Sequence, residues 1–123
     1  RSAPALRGLG NVWLDTSMVM DPTVLEIVID AVGPARLLFA TDLPVARMRG
    51  RRVYVMDHWV DVVLPGEPES AYRVQSDGIR ASFMTYEIVL AIRRAGERVG
   101  LRSEEIRGIF FRNGMDVLDR VRR

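Results

Sequence analysis

The chain has 123 residues, 48% of them apolar and 28% charged, an ordinary balance for one globular domain with a modest core. No apolar run reaches the ~18 residues of a membrane-spanning helix, no signal-peptide pattern opens the chain, and the absence of cysteine excludes disulfides and thiolate metal sites. All eighteen basic residues are arginine, and a net charge of +2 over this length gives little reason to expect a nucleic-acid partner.

Residues 2–9 read as the end of a helix, with Gly8 and Gly10 as stop signals. Val12-Trp13-Leu14 follows as a short strand that ends at a carboxylate, Asp15. Asp21-Pro22 suits a helix start, because the Asp side chain can accept from free N–H groups and proline tolerates the first helical position. From Val24 to Val32 only Glu26 and Asp30 are polar, so this helix is expected to be covered on most sides. Gly33-Pro34 ends it. Leu37 to Thr41 then runs without charge or alternation, as a strand buried on both faces does, and stops at Asp42. Pro44 has no N–H and cannot continue a central strand. Strand, helix and strand in about thirty residues make one βαβ unit. Asp15 and Asp42 then both stand at carboxyl strand ends, where parallel α/β folds place their chemistry. On residue type alone, a capping or turn role for Asp42 fits equally well.

Residues 45–76 read as a long excursion broken by Gly50, Pro65, Gly66 and Pro68. Val53–Met56 and Val60–Leu64 supply short ordered pieces, with one helical turn expected near Asp57-His58-Trp59. Such an excursion carries substrate contacts, a lid or an oligomer contact. Arg47, Arg49, Arg51 and Arg52 form the one basic run; without interleaved aromatics it reads as a solvated loop, not a phosphate track. A long helix is predicted from Ile79 to Val99, capped by Ser76 or Asp77 and stopped by Gly100. Ile79, Phe83, Tyr86, Leu90 and Met84, Ile88, Ala91, Ala95 form two adjoining core stripes, with Arg80, Glu87, Arg94 and Arg98 on the wet side. Ser103 is expected to cap the next turn, which holds Glu104 and Glu105. Ile109, Phe110, Val117, Leu118 and Val121 give the inner face of two short terminal helices, with a turn at Asn113-Gly114.

The wording of Asn11-Val12-Trp13-Leu14-Asp15-Thr16-Ser17, a helix, and Gly33-Pro34-Ala35-Arg36-Leu37-Leu38-Phe39-Ala40-Thr41-Asp42-Leu43-Pro44 resembles the C-terminal part of an amidohydrolase-related metal-dependent hydrolase. That family includes the aminocarboxymuconate-semialdehyde decarboxylase-like enzymes. The similarity returns from Leu101 to Asn113, while residues 45–76 have no counterpart in the general pattern. The resemblance implies an α/β fold, the last βαβα portion of a TIM barrel, with a long loop after the final strand and a helical C-terminus. Residues 1–123 would form a single partial domain, the barrel's C-terminal third. A first residue other than methionine fits such a piece.

The resemblance further implies a divalent metal, Zn or Mn, held by a His-x-His pair on the first strand, by ligands on middle strands, and by the Asp ending the eighth. In this chain that Asp is Asp42, the candidate catalytic and metal-binding residue. A lone carboxylate does not choose between the two metals. His58 follows Asp42 and cannot be one of the strand-borne histidines. Asp15 takes a structural or substrate-adjacent position, and Asp57 with His58 could supply a second proton-transfer group. The implied reaction is hydrolysis of a C–N or C–O bond, or non-oxidative decarboxylation, of a small molecule, in a complete cytoplasmic enzyme that could be a homo-oligomer. Neither a nucleic acid nor a membrane is expected as a partner. The chain alone is expected to lack a catalytic metal, to be inactive, and to associate through the open edges of its strands. The alternative is a non-catalytic, helix-rich interaction or structural module.

Overall fold

The computed structural model describes residues 3–122, a mixed α/β arrangement in which two small sheets are set among helices. The first sheet pairs β1, Leu14–Asp15, with β2, Leu37–Leu38, in parallel, Leu14 opposite Leu37 and Asp15 opposite Leu38. Between them runs α1, Pro22–Val32. Asp21 caps it as its sequence suggests, its carboxylate accepting from Thr23 N at 2.9 Å. Gly33 closes it with φ of 80°, donating to Ile29 O at 2.8 Å from a conformation that L side chains avoid. The strand–helix–strand unit is therefore present, with Asp42 beyond the carboxyl end of a strand that is parallel and adjacent to the one ending at Asp15.

The strands are shorter than their apolar runs. Leu37 is buried, whereas Leu38 to Thr41 are half-buried. Beyond Leu38 the backbone leaves the ladder, and Phe39 N donates to Ile109 O at 2.9 Å. α1 is also less covered than expected: Leu25, Ile29, Ala31 and Val32 are buried, but Ile27 is exposed. At the chain's start, the expected helix over 2–9 is a short 3₁₀ turn, Ala3–Leu6, and its Ser2 lies outside the described residues.

The excursion over 45–76 carries a second sheet. β3, Gly50–Val55, and β4, His58–Val63, form an antiparallel hairpin, and β5, Arg73–Gln75, lies parallel to β4 on its other side. The helical turn expected at Asp57-His58-Trp59 is instead a two-residue β-turn. Met56 and Asp57 both have positive φ, 50° and 64°, the geometry that matches strand twist in a tight hairpin. Arg51 and Arg52 consequently sit on a strand, not in a solvated loop. Gly50 is required where β3 begins, since a Cβ there would stand 2.5 Å from Val62 O.

α2 covers Met84–Arg98, five residues shorter at its start than the periodicity of Ile79 suggested. Ser76 and Asp77 do not cap it. Its first turn is satisfied by the segment after Asp42: Met84 N donates to Met48 O at 2.9 Å and Thr85 Oγ1 to Ala46 O at 3.1 Å. One expected stripe, Met84, Ile88, Ala91 and Ala95, is buried together with Ile92, and this row packs on α1. The other stripe is not core, because Phe83, Tyr86 and Leu90 are exposed. Glu87, expected in water, is only 8% exposed; its carboxylate accepts from Ser82 N at 3.0 Å and Ser82 Oγ at 2.8 Å. A fully buried aliphatic side chain contributes about 1.5–3 kcal/mol, against about 0–1 for an exposed ion pair such as Arg98–Glu26. The α1–α2 seam, not its charges, sets that packing.

The C-terminus is nearly continuous helix: α3, Ser103–Arg107, a π-helical segment Gly108–Arg112, and α4, Asn113–Val121. Ser103 is not the cap; the Glu105 carboxylate accepts from Arg102 N at 2.9 Å and performs that role. Asn113 marks no turn. It is buried within the helix, and its Nδ2 donates to Pro34 O and Leu37 O, both at 2.8 Å. Ile109 is buried, whereas Leu118 and Val121 are exposed and do not belong to the inner face.

Two outcomes follow from these contacts. Asn113→Ala strands two inward-facing carbonyls, so it should lower unfolding stability by about 1–3 kcal/mol, read from a urea titration. The Arg102 backbone N–H, and secondly its guanidinium, hold the Glu105 carboxyl below the usual carboxylate range. A lowered folded-state value means that the stabilisation is complete above the unfolded value and is lost as the pH falls through the folded one. The gap in urea midpoint between the natural chain and Glu105→Gln should therefore be present near neutrality and close in acid below that lowered value.

Candidate functional site at the carboxyl ends of the parallel strands

Thr16 is the residue on which this end of the molecule is built. It follows β1 directly, is fully buried, and donates from N to Leu38 O at 3.0 Å. Its Oγ1 donates to Ala40 O at 2.9 Å and accepts from Ala40 N at 3.0 Å. One hydroxyl thus satisfies both backbone groups of Ala40 and extends the strand pairing past the ladder. The segments carrying Asp15 and Asp42 are thereby fixed beside each other.

The two carboxylates differ in what they do locally. Asp15 is exposed, and its Oδ1 accepts from Ser17 N at 2.8 Å, an Asx turn that starts the loop to α1. Asp42 is exposed with φ of 64°, and among the described residues its carboxylate has no hydrogen-bond or ion-pair partner. Only its backbone oxygen is engaged, accepting from Ala46 N at 3.3 Å. Met18, in the corresponding loop after β1, also has positive φ, 59°. A left-handed backbone costs a non-glycine residue roughly 1–2 kcal/mol, less for Asp than for Met.

The base of the hairpin closes against the loop after β1. Arg51 Nη2 donates to Met20 O at 3.2 Å, and Arg52 N lies 3.2 Å from Met20 Sδ. A cleft of about 310 Å³ lies there, lined by Met20, Asp21, Pro22, Arg51, Arg52, Val53 and Tyr54. Arg52 is held from below by a forked ion pair with buried Asp61, at 2.8 and 3.2 Å, and its guanidinium stacks 3.9 Å from the Trp59 ring centroid.

Asp57 and His58 are not brought to this end. They are exposed at the tip of the hairpin, roughly 17–20 Å along β3 from its base. The cavity there, about 380 Å³, is lined by Asp57, His58, Trp59, Val60, Ala71 and Tyr72, and by neither Asp15 nor Asp42. The Asp57 backbone, with φ of 64°, forms the turn, and among the described residues its carboxylate has no hydrogen-bond or ion-pair partner.

A metal usually needs three protein ligands. Among the described residues no three His, Cys, Asp or Glu side chains stand close enough to hold one. The residues present thus do not make a metal centre by themselves; Asp42 offers one carboxylate. Also among the described residues, no helix is long and apolar enough to cross a membrane. Compared with protein-family models, curated proteins and solved structures, the chain gives no match in any of the three.

Sequence reasoning passed over Thr16, Arg52 with Asp61, and Glu87. The alternation of Arg52-Val53-Tyr54 with Trp59-Val60-Asp61 around a two-residue centre would have paired Arg52 with Asp61 had the hairpin been recognised. Thr16 stands in the wording that carries the resemblance, but nothing there signals its bonds to Ala40.

Thr16→Val keeps the shape but leaves the N–H and C=O of Ala40 without their partner. A loss of about 1–3 kcal/mol in unfolding free energy is expected, measured by urea titration. Amide exchange at Ala40 should rise with it.

Proposed function

We propose that this chain supplies the last βαβ portion of a TIM-barrel metal-dependent hydrolase related to the amidohydrolases, with Asp42 as the carboxylate that serves its chemistry. The observation that carries the reading is the parallel β1–α1–β2 unit, with Asp15 ending β1 and Asp42 four residues beyond the end of β2. Barrel enzymes assemble their sites from such ends. Asp42 is exposed and, among the described residues, has no structural partner, as a carboxylate reserved for a ligand would be. The reaction is hydrolysis of a C–N or C–O bond, or non-oxidative decarboxylation, of a small molecule. Zinc or manganese would be the metal, and its other ligands lie outside the residues described. The hairpin, whose base closes on the loop after β1, lies where a substrate-contacting excursion would.

A second reading, an interaction module without catalysis, is favoured by the apolar side chains that the second sheet exposes, Tyr54, Val55 and Met56 on the hairpin and Val74 on β5.

The two are separated by activity and metal content of the longest protein encoded around this chain. Asp42→Asn in that protein should cost about 10²–10⁴ in kcat/KM, as loss of a positioned carboxylate does, and Asp15→Asn clearly less. An Asp42→Asn variant with full activity, or an Asp15→Asn variant that loses more, overturns the assignment. A protein that neither holds a divalent ion nor turns over any amide, ester or carboxylate substrate supports the second reading.

A further inference from the structure

α4 and the end of the π-helical segment before it, which carries Phe111 and Arg112, have an inner and an outer side. Asn113 marks the inner side, where it is bound to the carbonyls of Pro34 and Leu37. Counting about 100° per residue, Phe111, Met115 and Leu118 fall roughly 140–200° around the helix from it. These three are 70%, 38% and 50% exposed. They follow one another at i, i+4 and i+7, the spacing of a helix-pairing seam. The seam faces away from β2.

The charges at its margin select an occupant. Arg112 and Asp119 are exposed and lie along one margin, roughly 240–260° from Asn113. Neither forms an ion pair among the described residues, although Arg112 Nη2 donates to Glu104 O at 3.3 Å. In an antiparallel helix pair, like margins face each other. A two-fold axis beside Met115 then sets Arg112 of each copy opposite Asp119 of the other, and Phe111 of each against Leu118 of the other. In this register the apolar cavity of about 560 Å³ beside Phe110 and Phe111 lies opposite the other copy's Val121, itself exposed. A parallel pair would turn the Arg112 margin toward the one carrying Gly114 and Val121, which has no charge to meet it.

We propose that α4 is a self-association surface, through which two copies of this chain pair antiparallel by Phe111, Met115 and Leu118 with reciprocal Arg112–Asp119 ion pairs. This goes beyond the assignment of Asp42 and does not depend on it. Sedimentation of the 123-residue chain across micromolar concentrations tests it, with far-UV circular dichroism to confirm that each variant is folded. A reversible monomer–dimer equilibrium is expected. Asp119→Arg alone and Arg112→Asp alone should each weaken it about tenfold, because like charges then face each other. The double variant R112D/D119R should restore it, and Leu118→Asp should abolish it. A chain that stays monomeric, a double variant that fails to restore dimerisation, or larger assemblies that these substitutions leave unchanged would overturn the proposal.

Discussion

Two ladder residues per strand cannot hold a sheet together, and the rest of the molecule is arranged around that shortage. A two-stranded sheet is marginal in water even when long. Here the pairing between Leu14–Asp15 and Leu37–Leu38 is extended at its carboxyl side by the buried Thr16 hydroxyl and fastened along β2 by Asn113 and by the Phe39–Ile109 backbone bond. Two of the three fastenings, from Asn113 and from Ile109, come from a segment distant in sequence. The C-terminal helices are therefore a condition for the parallel pair, as much as a cover over it. The same arrangement bears on association through strand edges. So short a ladder offers little edge to a second strand, and the side of β2 facing the π-helical segment is partly occupied.

The parallel unit was legible because its signals are chemical and local. Asp21-Pro22 can do little else than start a helix, Gly33-Pro34 can do little else than end one, and Leu37 to Thr41 has no charge to place in water. The hairpin was not legible because Met56-Asp57 lacks the glycine or asparagine that normally announces a two-residue turn, although both residues adopt the backbone those types favour. The start of α2 was misjudged for a different reason. Its periodicity continues back to Ile79, but the Met84 N–H is claimed by Met48 O and the Thr85 hydroxyl by Ala46 O, and no window of sequence contains those tertiary contacts. Glu87 belongs to the same class: a carboxylate on a helix reads as wet until Ser82 is seen folded back on it.

Legibility at the site divides along the same line. Asp15 and Asp42 could be found because each ends an apolar run, which is a property of the chain. Thr16, whose hydroxyl fixes their relation, could not, since its role is to fill the bonds of Ala40, twenty-four residues away. Asp57 and His58 illustrate the converse. Their residue types suggested proton transfer, but the hairpin carries them to its tip, away from Asp15 and Asp42.

Three aspartates stand at the carboxyl side of the parallel unit, and their local bonds sort them. Asp21 is spent on Thr23 N at the start of α1, and Asp15 on Ser17 N in the loop before it. Each bond satisfies a backbone donor that the turn would otherwise leave open, so each carboxylate has a structural reason to be where it is. Asp42 has no such bond among the described residues, and its backbone is left-handed, a conformation that asparagine tolerates as readily and glycine more so. Backbone preference alone therefore does not require a carboxylate at position 42, and no side-chain hydrogen bond there does. What aspartate adds over asparagine at an exposed, left-handed position is negative charge, and the described residues offer that charge nothing to bind.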